Sequence, residues 1–190
     1  IVFSNKTNPT HDLEEPFHNF KPVLNISGPW VVQFDSSWGR PAEPIVFENL
    51  TDWSIMDEQG IKYYSGTAKY RNKFTLKPEQ LKAWKNVFLD LGKVNNLAKV
   101  IINGKDCGIA WKPPYRVKIS ETIHAGENII ELEVVNSWVN RMIGDEQQPE
   151  DSEWIDWIRL KEWPEWFLRK DSTRPSGRYT FTTVKHYKMN

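Results

Sequence analysis

Apolar and polar residues alternate along residues 89–136, and this period of two predicts β-strands with one face on a core. The clearest run places Ala98, Val100 and Ile102 on one side. It ends at Asn103-Gly104, the strongest short-range hairpin signal because both residues tolerate positive φ. The pattern therefore predicts an antiparallel hairpin at this point of the chain.

Similar alternation predicts the other strands of an antiparallel all-β core. The strand that returns from the hairpin is expected to carry Cys107, Ile109 and Trp111 on its inner side. Beyond Pro113-Pro114, the inner residues of two further strands are Tyr115, Val117 and Ile119, then Ile130, Leu132 and Val134. Two earlier strands have as inner residues Trp30, Val32 and Phe34, then Ala68, Tyr70, Phe74 and Leu76. A short helix is predicted over 77–84, and one helical turn within 50–60.

The alternation stops over residues 137–176, a stretch that is rich in tryptophan. Loops beyond about 15 residues are uncommon in compact domains unless they bind or cover something. Trp154, Trp157 and Ile158 have helical spacing, so a helix is expected within 152–160. The segment is predicted to form one or two short helices on the sandwich, and residues 177–187 a closing strand.

Composition narrows the classes of partner. The 25 basic and 25 acidic residues give a formal net charge of +0, which disfavours nucleic acid and anionic membranes. No apolar run is long enough to span a membrane. Because the chain begins at Ile1, we expect it to be a piece of a longer protein. Residues 1–25 are predicted to be a linker or the remnant of a preceding domain, and residues 26–190 a single jelly-roll β-sandwich.

Several motifs resemble one group of proteins. The segments INGKDCGIAWKPPYRVKI and AGENIIELEVVN are similar to the galactose-binding-like jelly-roll domains of glycoside hydrolases, such as the sugar-binding domain of family 2. Three further segments, NSWVNRMIGDEQ, EWPEW and RPSGRYTFTTVKHY, resemble the C-terminal β-sandwich of bacterial α-L-rhamnosidases of family 106. Val139 and Cys107 depart from that family pattern.

The resemblance implies a role as part of a larger enzyme. In such enzymes the catalytic carboxylates lie on a separate barrel domain, so the resemblance identifies no catalytic residue here. It implies a non-catalytic accessory domain that packs on the catalytic domain, contacts a plant polysaccharide or oligosaccharide, and works in the periplasm or outside the cell. An independent carbohydrate-binding module is the alternative, and a free-standing hydrolase is a third hypothesis.

The candidate carbohydrate site lies where strand ends meet loops. Sugars need an apolar ring face beside planar hydrogen-bonding groups. The candidate residues are Trp138, Asn140, Arg141, Asp145, Glu146, Trp111, Tyr115 and Arg116. In the alternatives, Trp138 packs under the long loop or contacts a catalytic domain, Arg141 pairs with Asp145 or Glu146, and Trp111 and Tyr115 lie in the core.

The role of the acidic run that begins at Asp145 is a second question that the sequence leaves open. Its members are Asp145, Glu146, Glu150, Asp151, Glu153 and Asp156. Calcium takes six to eight oxygens and often pins long loops, so a calcium site is possible chemistry here, although no EF-hand spacing occurs. A solvated or interdomain acidic loop is the default interpretation. The histidines lack zinc-ligand spacing, and no other cofactor is predicted.

Overall fold

The computed structural model of the chain describes residues 20–35, 43–156, 159–169 and 174–181. The first half contains β1 (Trp30–Phe34), β2 (Ile45–Phe47), a 3-10 turn (Trp53–Ile55), α1 (Gln59–Lys62), β3 (Thr67–Leu76), α2 (Pro78–Ala83) and β4 (Phe88–Asp90). The second half contains β5 (Leu97–Ile102), β6 (Lys105–Ala110), β7 (Arg116–Lys118), β8 (Gly126–Val135), α3 (Val139–Glu146), β9 (Trp154–Ile155), β10 (Arg159–Leu160) and α4 (Glu165–Leu168).

Two antiparallel layers form the sandwich, as the alternation predicts. The large sheet has six strands in the order β2-β1-β3-β8-β5-β6, and β4 pairs with β7 in a second, short sheet. The inner face of the large sheet is buried at the predicted positions on four strands; these residues include Trp30, Val32, Phe34, Ala68, Tyr70, Leu76, Val100, Ile102, Ile130 and Leu132. Each such side chain contributes about 1.5–3 kcal/mol by leaving water. The prediction of an antiparallel all-β sandwich is confirmed.

The outer face of the large sheet carries the polar residues that alternate with these buried ones along each strand. Lysine and arginine side chains of β3 face glutamates of β8, and the three cross-strand pairs are Lys69–Glu133, Arg71–Glu131 and Lys73–Glu127. All three pairs are largely exposed, and pairs of this kind contribute less than about 1 kcal/mol each. The basic face of β3 is therefore a solvated sheet surface.

The predicted inner side of β6 is wrong beyond Cys107. The register shifts because Val100 lies opposite Gly108 while Ile101 lies opposite Asp106, so Cys107 forms a β-bulge. One extra residue reverses which face each following side chain occupies. Cys107 is partly buried against the core, whereas Ile109 and Trp111 are exposed. Trp111 is therefore not a core residue.

The long segment after Asn136 forms short elements, two of which are the helices α3 and α4. The helix expected within 152–160 is wrong, since β9 and β10 pair as a small antiparallel hairpin there. Asp156 has a positive φ of 56°, which ends helical geometry between them. Residues 177–181 are not a strand, and the rest of the predicted closing strand lies outside the described residues, as do Trp157 and Ile158.

Candidate functional site

One end of the sandwich gathers the loops that carry most of the predicted site residues. Thr67 pairs with Val135, Val135 with Leu97, and Ala98 with Ala110, so β3, β8, β5 and β6 all begin or end at this level. The segments that continue from these strands are 91–96, 111–115 and 136–140. We call this end of the molecule the loop end.

A cavity of about 1000 Å³ separates the large sheet from the short β4–β7 layer. Its walls are mainly apolar along the sheet, where Tyr70, Leu132 and Val134 line it. Toward the loop end its lining becomes polar; the residues there are Asp52, Asp90, Asn95, Arg116, Asn136 and Asn140. An apolar cavity with a few convergent polar groups is the usual form of a small-ligand site.

We call the polar end of the cavity the mouth. Asp90 fixes the Arg116 side chain there. The Arg116 Nε donates to Asp90 Oδ2 over 2.8 Å, and the guanidinium carbon lies 5.7 Å from the centre of the Phe20 ring. Burial alone would raise the pKa of Asp90, but hydrogen bonds from the Gly92 amide and from Arg116, with the positive charge of Arg116, lower that pKa below its ordinary value. The carboxylate therefore stays ionised and orients the guanidinium.

Two asparagines at the mouth differ in what they bind. Asn136 Oδ1 accepts from the Gly66 amide at 2.8 Å, and its Nδ2 donates to the Tyr64 carbonyl at 2.8 Å, so this side chain ties two loops together. Asn140 also lines the cavity, but within the described residues its side-chain amide has no hydrogen-bond partner. Tyr115 lines the same cavity, packs against the core, and has a hydroxyl that is likewise without a partner there.

The two predicted tryptophans lie on the surface in the segments 111–115 and 136–140, and neither lines the cavity. Trp111 is 65% exposed and Trp138 is 50% exposed. The Lys112 ammonium lies 5.4 Å from the centre of the Trp111 ring. The Trp138 ring is thus half covered and half open to solvent.

Arg141 and Asp145 turn into the protein, one helical turn apart on α3. Arg141 Nε lies 3.4 Å from Asp145 Oδ1, and Asp145 is fully buried. Asp145 Oδ2 accepts from the Tyr179 amide at 3.0 Å and from the Thr180 amide and hydroxyl, each at 2.6 Å. The alternative in which Arg141 pairs with Asp145 therefore holds, and the pair fastens α3 to the segment 174–181. Glu146 is partly buried at the end of the same helix.

Three members of the acidic run bind basic side chains that follow them in the chain. Asp151 binds Arg174, Glu153 binds Lys161 at 2.8 Å, and Asp156 binds Arg159 at 2.5 Å. Over the described residues, no three His, Cys, Asp or Glu side chains group in a way that could hold a metal ion. Asp151, Glu153 and Asp156 are thus neutralised by ion pairs, of which only Asp151–Arg174 joins residues far apart in the sequence.

Four of the six polar residues at the mouth are absent from the sequence-predicted site: Asp52, Asp90, Asn95 and Asn136. Asp52 Oδ2 is 3.5 Å from Asn95 Nδ2, while its Oδ1 accepts from the Ser54 amide and begins the 3-10 turn. Asp90 was missed although the sequence Asp90-Leu91-Gly92 carries a signal. In turns of this kind an Asp side chain accepts a hydrogen bond from the amide two residues later, here that of Gly92. No short-range feature of the sequence indicates that the loops carrying these residues meet.

The family model described as "Glycosyl hydrolase 2 galactose-binding domain-like" matches residues 43–175, most of the chain. The chain belongs to this family. A protein of Formosa agariphila with a provisional beta-glucuronidase name is 40% identical over 88% of this galactose-binding-like chain and 14% of its own length. A solved rhamnosidase from Novosphingobium sp. PP1Y is 35% identical, with a TM-score of 0.61 over 83% of the chain and 14% of that structure. A beta-glucuronidase of an uncultured Clostridium sp., 21% identical with a TM-score of 0.51 over 63% of the chain and 24% of that structure, shares the fold.

The galactose-binding-like domain thus spans about one seventh of the length of the first two relatives. The resemblance to galactose-binding-like domains of glycoside hydrolases is confirmed by this match. Along the part of the chain that the structure describes, no helix has the length and apolarity needed to cross a membrane.

Proposed function

We propose that this domain is a non-catalytic accessory part of a larger glycoside hydrolase, and that its loop end contributes contacts to the enzyme's carbohydrate substrate. The observation that carries the proposal is that the chain matches a galactose-binding-like family over residues 43–175 yet spans 14% of its longer relatives. Most of such a protein lies in other domains, and fold alone does not supply chemistry. The domain packs on the catalytic domain of that protein.

Carbohydrate contact is supported by the chemistry of the mouth. Asn140 and Tyr115, which line the cavity, carry an amide and a hydroxyl, and Arg116 adds a guanidinium held in place by Asp90. Trp111 and Trp138 offer exposed ring faces in the adjoining loops. Rings that cover the apolar face of a sugar, together with planar groups for its hydroxyls, suit a saccharide. Arg141 and Asp145 are left out of this proposed site because both are buried.

The names of the relatives suggest the substrate class. One is a rhamnosidase and others carry beta-glucuronidase names, so we propose that the parent enzyme acts on a plant polysaccharide or oligosaccharide that contains such sugars. A polymer of this kind is met outside the cytoplasm, and the parent is accordingly placed in the periplasm or outside the cell.

Turnover assays test the non-catalytic role. The isolated chain is expected to release no chromophore from aryl α-rhamnosides or aryl β-glucuronides, while the longer polypeptide that contains it does so with one of them. Glycoside hydrolysis needs two carboxyl groups about 5–9.5 Å apart, one of them an acid. Turnover by the isolated chain that is lost in Asp145→Asn or Glu146→Gln would overturn the proposal.

An independent carbohydrate-binding module is the second candidate, favoured by the exposure of Trp111 and Trp138. Isothermal titration of the isolated chain with polysaccharide fragments separates the two. Binding at millimolar or lower dissociation constants that is lost in Trp111→Ala and kept in Ile109→Ala supports the module. No measurable heat supports a site completed by the catalytic domain.

A further inference from the structure

An exposed group of aromatic rings lies on the long segment, separate from the loop-end cavity. Phe181 is at its centre, with its ring centroid within 6.4 Å of those of Trp154, Trp163, Trp166 and Phe167. Trp163 stacks on Phe167 at 4.8 Å and 19°. We call these five residues the aromatic surface. Trp163, Phe167 and Phe181 are 55%, 45% and 38% exposed, and soluble proteins rarely expose such a group unless it binds something.

The aromatic surface is held rigidly from beneath. Arg174 Nε and Nη2 donate to the two carboxylate oxygens of Asp151 at 2.5 and 2.7 Å, and Nη1 donates to the Thr180 carbonyl at 2.8 Å. The same guanidinium lies 4.5 Å from the Trp166 ring centre and 4.6 Å from that of Phe181. Both members of this ion pair are nearly buried, and a bidentate pair fixes orientation as well as position. The ion pair thus fixes the positions of two of the five rings, Trp166 and Phe181.

Two ion pairs lie on the residues that carry the rings or adjoin them. Lys161 binds Glu153 at 2.8 Å, and Arg169 binds Glu165 at 2.6 Å. A sugar platform needs polar groups beside the ring to bind hydroxyls. Protein interfaces instead have an apolar, aromatic centre inside a polar rim. The aromatic surface has the second arrangement.

We propose that the aromatic surface docks against the apolar surface of another domain in the same polypeptide, the catalytic domain of the proposed hydrolase. This inference rests on the proposed function, and it names the surface through which the packing occurs. The size of the relatives supports this occupant, because a chain that spans 14% of them leaves most of the protein as neighbouring domains. A sugar, or a second copy of this chain, would be a different occupant.

Hydrogen exchange read by mass spectrometry tests the docking. Peptides covering 161–169 are compared in the isolated chain and in the longer polypeptide. Because docking removes opening motions of a short helix, exchange in the longer polypeptide is expected to slow by about tenfold or more. The variant Trp163→Ala/Phe167→Ala should return exchange to the rate of the isolated chain. The matched variant Ile55→Ala/Ile109→Ala, which also removes two exposed large side chains, should not.

Three outcomes overturn the inference: equal exchange in both proteins, protection that survives Trp163→Ala/Phe167→Ala, or protection in the isolated chain that rises with its concentration, which would indicate a second copy. Circular dichroism of the double variant confirms that it is folded. Failure of the proposed function is distinct, since it appears as a longer polypeptide without glycosidase activity.

Discussion

At the scale of single residues, Asn128 shows how one buried amide closes a turn. Its Oδ1 accepts from the His124 amide at 2.9 Å and from Asn103 Nδ2 at 2.8 Å. Its Nδ2 donates to the carbonyls of His124 at 2.8 Å and Gly126 at 3.1 Å. The side chain is fully buried with all four bonds made, so it joins the turn before β8 to the β5–β6 hairpin.

Replacing this amide should be costly. Asn128→Ala removes four hydrogen bonds of a fully buried amide and leaves a space in its place, and we expect a loss of about 2–4 kcal/mol in the free energy of unfolding. Urea unfolding followed by tryptophan fluorescence measures it. Asn95→Ala, which removes an exposed amide with one 3.5 Å contact, is the control and should cost less than about 0.5 kcal/mol. Equal midpoints for the two variants would contradict the role given to Asn128.

The structural importance of Asn128 could not be predicted from the sequence. Turn residues of this type are read from local preference, and local preference does not reveal that an amide is buried against a hairpin 25 residues away. Arg141 and Asp145 are similar. Their helical spacing allows an ion pair, but only the fold shows that the pair is buried and serves the segment 174–181 rather than a ligand.

At the scale of elements, the segment 174–181 stays on the sandwich without belonging to a sheet. Arg174 binds Asp151, and the Arg178 guanidinium donates to the carbonyls of Gln148 and Pro149 at 2.8–3.2 Å. Ser176 adds a hydroxyl bond to Asp151. Each of these bonds joins residues more than twenty positions apart in the sequence. We call this set of bonds the clamp, and it holds the aromatic surface by long-range contacts.

The clamp makes stability depend on pH. Burial alone would raise the pKa of Asp151, but hydrogen bonds from Arg174 and Ser176, with the charge of Arg174, lower that pKa below its ordinary value. A lowered pKa in the folded state stabilises the fold above the unfolded pKa of about 3.9, and this contribution is lost as pH falls through the folded pKa.

A double-mutant cycle of Asp151→Asn and Arg174→Ala measures this effect. The coupling energy should be constant from neutral pH down to about pH 5 and should fall below about pH 4, because protonated Asp151 no longer carries the charge that Arg174 binds. Urea unfolding at a series of pH values provides the energies. A coupling energy that is absent at neutral pH, or that grows in acid, would show that the ion pair does not hold the segment.

The strands were predicted correctly where packing on the core requires an apolar residue at every second position. The strands β1, β3, β5 and β8 bury the predicted residues, because one sheet face must be apolar along its whole length. Prediction failed at β6, where the bulge at Cys107 reverses the faces, and at 152–160, where the positive φ of Asp156 joins β9 and β10 in a hairpin. Neither a bulge nor a positive φ changes the spacing of apolar residues on which these predictions rest.

At the scale of the whole molecule, the unequal size of the two layers creates the candidate site. The large sheet has six strands, and β4 and β7 have three residues each, so part of the inner face borders a cavity instead of a second layer. The sequence predicted that Trp138 and Asn140 follow the end of a strand and that Trp111, Tyr115 and Arg116 flank Pro113-Pro114. It could not predict the cavity, because its volume depends on how far the short layer extends.

The central claim is that the loop end of this domain contributes to substrate binding in a larger hydrolase. The most direct measurement is the Michaelis constant of the longer polypeptide for its polysaccharide, with Tyr115→Phe/Asn140→Ala compared with Ile109→Ala on the outer face of β6. Loss of the Tyr115 hydroxyl and the Asn140 amide should raise KM by roughly tenfold, since each hydrogen bond contributes about 0.5–1.5 kcal/mol, with kcat unchanged. Ile109→Ala should leave KM as it is. A KM that Tyr115→Phe/Asn140→Ala does not change would contradict the account.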